Sequence, residues 1–435
     1  MKIAIVGAGI GGMSAAWDLI KAGHEVEIFE AAGHPGGLAA GFKEPEWEWS
    51  VEKFYHHWFT SDVHMMQLID ELGLKEKVIV KRPYTVMFFK DKFYPFDSIL
   101  TALLYPGLGW GLDKIRFGLV GLFLRLTNNW RPMESETVDG WMRKWAGESV
   151  YKKMWEPMVV GKFGERYAKV VNMAWMWARL HSRTTQLATF EGGFQNFSNM
   201  FCEILQSKGV KFHFNTGITR ISTLPESRVK IISSLGELDY DRCLVTISPG
   251  QLASLAPELP SDYLKGLLEL KSLGAVVMVI SLTQQLSKDG YYWFNLPKSA
   301  GFPFLALVEH TNYLPSEKYG GEHLIYCGDY LELDHEYFQM TKEQLLERFL
   351  PSFSRINPDF KTEWVKRAWL FKTNYAQPVP LINHSKNIPA IKTPLDGLYF
   401  ACMSQVYPWD RGTNFAVQIA RQAARLIQDN LDVKT

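Results

Sequence analysis

The first thirty residues of this chain leave little freedom in how it folds. Residues 2–6 form a short apolar run of strand type, followed without a break by Gly7-Ala8-Gly9-Ile10-Gly11-Gly12 and then by a helical run over 13–22. Residues 25–29 repeat the strand pattern and end on Glu30. Strand, glycine turn, helix and strand in this order make a βαβ unit. Gly7 permits the tight turn, Gly9 lets the backbone approach a pyrophosphate, and Gly12 lets the helix pack against the strand. The turn residues Ala8, Ile10 and Gly11 lead into a helix start whose unpaired N–H groups carry partial positive charge toward phosphate oxygens. The Glu30 carboxylate is placed to accept hydrogen bonds from a ribose diol. A dinucleotide site follows, although the turn alone does not choose between NAD and FAD.

At 435 residues the chain exceeds what one compact core accommodates, so two joined domains are expected. Lys plus Arg total 47 against 46 Asp plus Glu, which removes the basic footprint of a nucleic-acid-binding protein. Cys202, Cys243, Cys327 and Cys402 are far apart, with neither a CxxC pair nor metal-ligand spacing, and reduced thiols in a cytoplasmic setting fit them. The chain opens directly on a strand pattern, so no secretion signal is expected. The apolar stretch 115–127 is too short to span a bilayer and carries Arg116 and Arg125. It is read as a buried helix, with peripheral membrane contact through an apolar face as the alternative.

Six residues beyond Glu30 comes Gly36-Gly37. This E-x5-GG continuation resembles the second signature of the flavoprotein amine oxidase superfamily, which includes protoporphyrinogen oxidase, phytoene desaturase-type enzymes and monoamine oxidase. The resemblance implies FAD as cofactor, with Gly36, Gly37 and Leu38 along its pyrophosphate. Leu38 stands where the family carries Arg or another polar residue, which leaves backbone N–H groups to make that contact. It further implies an α/β fold in which an FAD-binding Rossmann-like domain (1–75, 188–270 and 385–435) is joined to a discontinuous α+β substrate domain (76–187 and 271–384). Within this frame residues 196–207 and 342–350 read as helices, and 211–215, 240–246, 275–282 and 323–327 as strands. The segment 76–187 loses the strand pattern and becomes rich in tryptophan, including Trp110, Trp130, Trp141, Trp155, Trp175 and Trp177. Residues 107–111 read as a turn.

Ile218 falls at the family's adenine contact. Gly412, Asn414 and Ala416 open the last helix, whose amino terminus points at the flavin pyrimidine in the family. Cys402-Met403 replaces the family's Gly-Asp, and Asp410 or Ser404 are the candidates to supply the missing ribityl contact. Tyr55, His56 and His57 lie where the family chain skirts the flavin ring and, with Tyr407, are the candidates for contact or proton transfer. For each histidine the competing reading is a ring satisfied by a backbone carbonyl. His56, His57 and His64 have no carboxylate or Cys at ligand spacing, so no metal is assigned.

A second glycine fingerprint and a CxxC pair are both missing, which disfavours a nicotinamide-coupled disulfide reductase. The resemblance implies an FAD-dependent oxidoreductase that oxidises or desaturates a small apolar substrate by hydride transfer to flavin. Two alternatives remain. One is a UDP-galactopyranose mutase-like enzyme acting on a nucleotide sugar through a polar cluster at Tyr407, Asp410, Arg411 and Asn414. The other is a non-catalytic binding protein like the GDP-dissociation inhibitors.

Overall fold

The computed structural model describes residues 1–109, 111–182 and 184–432; Trp110 lies outside them. Lys2–Val6 sits at the centre of a five-stranded parallel sheet. Glu25–Phe29 and Lys211–His213 follow on one side, Arg242–Val245 and Leu398–Phe400 on the other. The chain direction of winding reverses at the first strand, the arrangement that opens a crevice at the carboxyl ends of the strands. Alternation sorts the side chains. Ile3 and Ile5 join the core beneath the helices Ile10–Lys21, Gly193–Ser207 and Thr413–Asp432. Ala4 and Val6 face a second core with the antiparallel sheet Ile218–Leu224, Arg228–Ser233 and Gly236–Tyr240.

The strands expected over 275–282 and 323–327 are longer, at Ser272–Leu282 and His323–Leu331, and two others are shorter than expected. Tyr240 ends the antiparallel sheet and its hydroxyl donates to Glu27, so the parallel strand begins only at Arg242. The strand expected over 211–215 stops at His213, and Asn215 takes a left-handed φ of 53° as the chain turns back toward Glu30.

The second lobe is built on a seven-stranded sheet in the order Val365–Pro378, Ser272–Leu282, His323–Leu331, Ala306–Glu309, Trp293–Asn295, Thr85–Phe89, Lys92–Pro95. Its last two strands come from the segment read as devoid of strands. They form a hairpin closed by Lys90 and Asp91, both at positive φ, without the Gly or Asn that marks such a turn in a sequence. The small sheet of Trp58–Phe59, Leu187–Phe190 and Val78–Lys81 ties the two lobes together.

The helices Ile99–Leu104, Leu112–Leu126, Val138–Trp145, Glu156–Ala168 and Met173–His181 cover the sheet through an aromatic cluster that includes Tyr151, Trp155, Trp175 and Trp177. The helix Leu112–Leu126 corrects one expectation. Only Val120 and Leu124 are buried along it, while Leu112, Ile115, Leu119 and Leu122 are more than half exposed. The stretch is therefore a surface helix with an apolar outer face, because its buried stripe is only one of two apolar stripes. None of the described helices is long and apolar enough to cross a membrane.

Candidate active site

The glycine turn and the Gly36-Gly37 loop lie against each other. The Gly7 amide donates to the Phe29 carbonyl at 2.8 Å and the Gly36 amide to the Ala8 carbonyl at 2.9 Å, and Gly9 bridges to Gly36. A β-carbon at Gly12 would run into the Gly7 carbonyl oxygen, and one at Gly37 would come within 3.2 Å of the Gly9 α-carbon. Gly36 and Gly37 have φ of 121° and 56°, conformations that a side chain would strain. The helix that starts at Ile10 has Gly9 as its cap, with no side chain satisfying its first amides and no acidic residue in its first turn. An anion is thus the natural partner of that helix end. Gly11 faces the backbone of Ala416, where a β-carbon would sit 3.6 Å from the carbonyl oxygen. The helices that open at Ile10 and Thr413 therefore run side by side.

Glu30 accepts the Ala8 and Ala32 amides, each at 2.8 Å, which ties its carboxylate to the turn. The Thr216 amide donates to the Glu30 carbonyl, and this places Ile218 beside the same edge. Leu38 lies half-buried in a short helical turn over Gly37–Ala39. Together these groups fit a dinucleotide: bare backbone where phosphates approach and a carboxylate at the second strand's end.

The carboxyl-terminal residues serve partly as scaffold. Asn414 Oδ1 accepts the Met65 amide at 3.0 Å, and Thr413 Oγ1 accepts the Trp58 indole at 2.9 Å, which locks the segment 58–71 onto the last helix. Exposed Gly412 leads into that helix, and its carbonyl accepts the Ala416 amide. Cys402 is buried and its thiol is pushed up to about 11, so it stays protonated. Ser404 is engaged by the Tyr375 hydroxyl at 2.8 Å.

Asp410 is the centre of a buried charge cluster. Lys162 reaches it at 2.5 Å, Arg179 at 3.1 Å and the Trp175 indole N–H at 3.2 Å. Arg411 donates its own amide to Asp410 and its guanidinium to Gln377 and the Tyr330 hydroxyl. Burial works to raise the Asp410 carboxyl, but Lys162, Arg179 and Arg411 outweigh it and hold it far below the usual range. Burial lowers the Lys162 ammonium, Asp410 pulls it back up, and Arg179 and Arg411 add to the lowering. Two arginines and a lysine whose ammonium is lowered to about 7 thus surround one carboxylate. A small cavity beside them is lined by Trp175, Gln377, His384, Tyr407, Asp410 and Arg411.

The four proton-transfer candidates separate. His56 donates Nδ1–H to the Phe54 carbonyl at 2.5 Å, which leaves Nε2 as an acceptor. Burial lowers it to about 4, and Arg411 acts in the same direction, so the ring is neutral and lies toward the charge cluster. Tyr407 borders the cavity and its hydroxyl accepts from Asn172 at 3.0 Å. Tyr55 and His57 turn the other way. Tyr55 packs among His57, Tyr292, Trp293 and Tyr326, and His57 lies edge-on to Phe59. Glu52 is fully buried below this segment, accepts the Phe194 amide at 2.9 Å, and is pushed up to about 7 by burial. Among the described residues no group of three or more His, Cys, Asp or Glu could hold a metal ion.

Lys162, Arg179 and Glu52 escaped the sequence reading. Lys162 and Arg179 lie in an aromatic-rich helical segment with nothing local to distinguish them from surface charges, and their partner is more than 230 residues away.

Residues 10–428 match a family described as flavin containing amine oxidoreductase. The chain is 25% identical over 250 residues to the zeta-carotene desaturase of Synechocystis sp., covering 51% of each chain. It is 28% identical over 158 residues to the 15-cis-phytoene desaturase of Synechococcus elongatus, covering 33% of each. It therefore spans about half and about a third of the length of these two curated relatives. Solved structures with the same fold include a putative protoporphyrinogen oxidase from Exiguobacterium sp. 255-15 (TM-score 0.76, 18% identity, 99% of each chain). Reduced UDP-galactopyranose mutase shares it as well (TM-score 0.73, 14% identity, 98% of this chain and 95% of that one).

Proposed function

This chain belongs to the flavin-containing amine oxidoreductase family, and from that premise we propose that it is an FAD-dependent oxidoreductase that oxidises or desaturates an apolar, polyene- or isoprenoid-like substrate. Bound FAD supplies the hydride acceptor and the outlet for electrons. Gly7 to Gly12, Glu30, Gly36 and Gly37 hold the dinucleotide end, and the helix that opens at Thr413 directs backbone amides toward the flavin.

One observation carries the substrate class: where the two lobes meet, Lys162 and Arg179 pair with the single carboxylate Asp410 and Arg411 adds its charge beside them, so the two arginines alone outnumber the carboxylate even where burial lowers the Lys162 ammonium to about 7. A protonated amine would meet net positive charge in a low-dielectric setting and be repelled. A neutral hydrocarbon carries no such cost, and the aromatic cluster behind Trp175 and Tyr407 offers it an apolar surface. The desaturase relatives support the same class. Loss of a hydride from carbon leaves a proton to be taken up, and His56 Nε2 is the neutral acceptor in this region.

The experiment is anaerobic. Adding a dispersed carotene precursor to the yellow, flavin-loaded protein is expected to bleach the flavin, whereas putrescine leaves it unchanged. Bleaching by putrescine alone would overturn the substrate class.

The same excess of positive charge favours a second reading, in which an anionic nucleotide sugar binds and reduced flavin is used without net electron transfer, as the mutase fold suggests. Turnover of a UDP-sugar that requires dithionite-reduced flavin would select it.

A further inference from the structure

Among the described residues nineteen large apolar side chains are exposed, and nine of them lie on two consecutive helices, Ile99–Leu104 and Leu112–Leu126. On the longer helix Leu112, Ile115, Leu119, Leu122 and Leu126 recur at three- and four-residue spacing, each between 54% and 69% exposed. A surface helix in water ordinarily turns polar residues outward. This one buries Val120 and Leu124 and presents a second apolar stripe to the outside, so a contiguous apolar face is left without a partner.

The charges around that face say what covers it. From residue 99 to 131 the basic side chains are Lys114, Arg116, Arg125 and Arg131, and the single acid, Asp113, is held by Lys153 at 3.0 Å and Ser149 at 2.6 Å. Arg116, Arg125 and Arg131 are exposed. Trp145, 56% exposed, stands next to Trp141, which stacks on Phe123, and so adds an amphipathic ring to the rim. An apolar stripe rimmed by arginine and tryptophan complements the boundary between acyl chains and anionic headgroups. A second copy suits it less well, because a two-fold contact sets a patch against itself and would bring its own arginines together.

We propose that the helices Ile99–Leu104 and Leu112–Leu126 form a monotopic docking surface for a bilayer containing anionic lipid. The longer helix lies in the plane of the interface. Its inner side chains Val120 and Leu124 belong to the same cluster as Trp175, Tyr407 and Trp409, so the membrane face and the charge cluster are separated by one continuous apolar core. The docking stands on the surface alone; that it delivers an apolar substrate to the site rests on the proposed chemistry.

Co-sedimentation of the full, flavin-loaded chain with phosphatidylcholine vesicles, with and without phosphatidylglycerol, tests this. Binding is expected to be at least about tenfold tighter with phosphatidylglycerol and to weaken as salt is raised. Leu119→Asp with Leu122→Asp is expected to abolish it while flavin content and Tm stay at the parent values. Arg116→Gln with Arg125→Gln, which keeps the apolar face, should lower affinity about tenfold for the anionic vesicles alone. Three results would overturn the proposal: no sedimentation with either vesicle, unchanged binding by both double variants, or a dimer in sedimentation equilibrium that the leucine variant splits while vesicles have no effect. None of these depends on which substrate bleaches the flavin, so the docking and the chemistry fail separately.

Discussion

The glycine-lined end of the crevice and the Asp410 cluster are both tightly packed, yet they are assembled in opposite ways. The first is made by residues 7–37, nearly all of it backbone against backbone: Gly36 on Ala8, Gly37 on Gly9, Gly12 on Gly7. The second joins side chains from two helices of the second lobe, two strands of its sheet and the residues just before the last helix. A site that works by removing side chains tolerates no additions. A site that works by balancing charge tolerates no subtraction.

The sharpest contrast comes from Gly12→Val, which forces a β-carbon into the Gly7 carbonyl. We expect a loss of more than about 4 kcal/mol and protein without flavin, read by thermal denaturation and the visible spectrum. Retention of flavin would break the backbone account of that end. Asp410→Asn leaves buried Lys162 and half-buried Arg179 without their carboxylate, beside Arg411, and is expected to cost about 3 kcal/mol in denaturant unfolding. A cost below about 1 kcal/mol would mean that the cations are solvated and the substrate argument fails.

Glu52 sharpens the comparison through pH. Its carboxyl is raised by burial from 4.5 to about 7, so its neutral form belongs to the folded state. The stability this confers is complete below pH 4.5 and is lost as pH rises through about 7. Unfolding free energy is expected to fall by about 3 kcal/mol between those limits, and Glu52→Gln should flatten that slope. An identical slope in the variant would assign the titration elsewhere.

The smallest effect belongs to Leu38→Arg, which restores a polar residue at the position that the family resemblance assigns to the pyrophosphate. FAD affinity is expected to tighten by less than about tenfold, or about 1.4 kcal/mol, if the uncapped amides at the start of the Ile10–Lys21 helix hold the phosphates as proposed. Equilibrium dialysis measures it.

The parallel strands at 2–6, 25–29 and 242–245 could be read because each is a short, mainly apolar run set between turn residues, a pattern that water imposes on a buried strand. The hairpin at 85–95 was missed because Lys90 and Asp91 do not advertise a left-handed turn. The Leu112–Leu126 helix was misplaced because an apolar stretch reads alike whether it faces a core or the outside. Among the site residues, His56 was a candidate by position, but only its Phe54 contact distinguishes it from Tyr55 and His57, which turn toward the aromatic core.

What the order of residues alone decided is the dinucleotide end, since glycine spacing acts through the backbone geometry of immediate neighbours and needs no distant partner. What only the folded chain decided is the balance of charge at Asp410 and the outward turn of the apolar helix. Both depend on which side chains meet across more than 200 residues and on which surfaces remain without a neighbour once the core is filled.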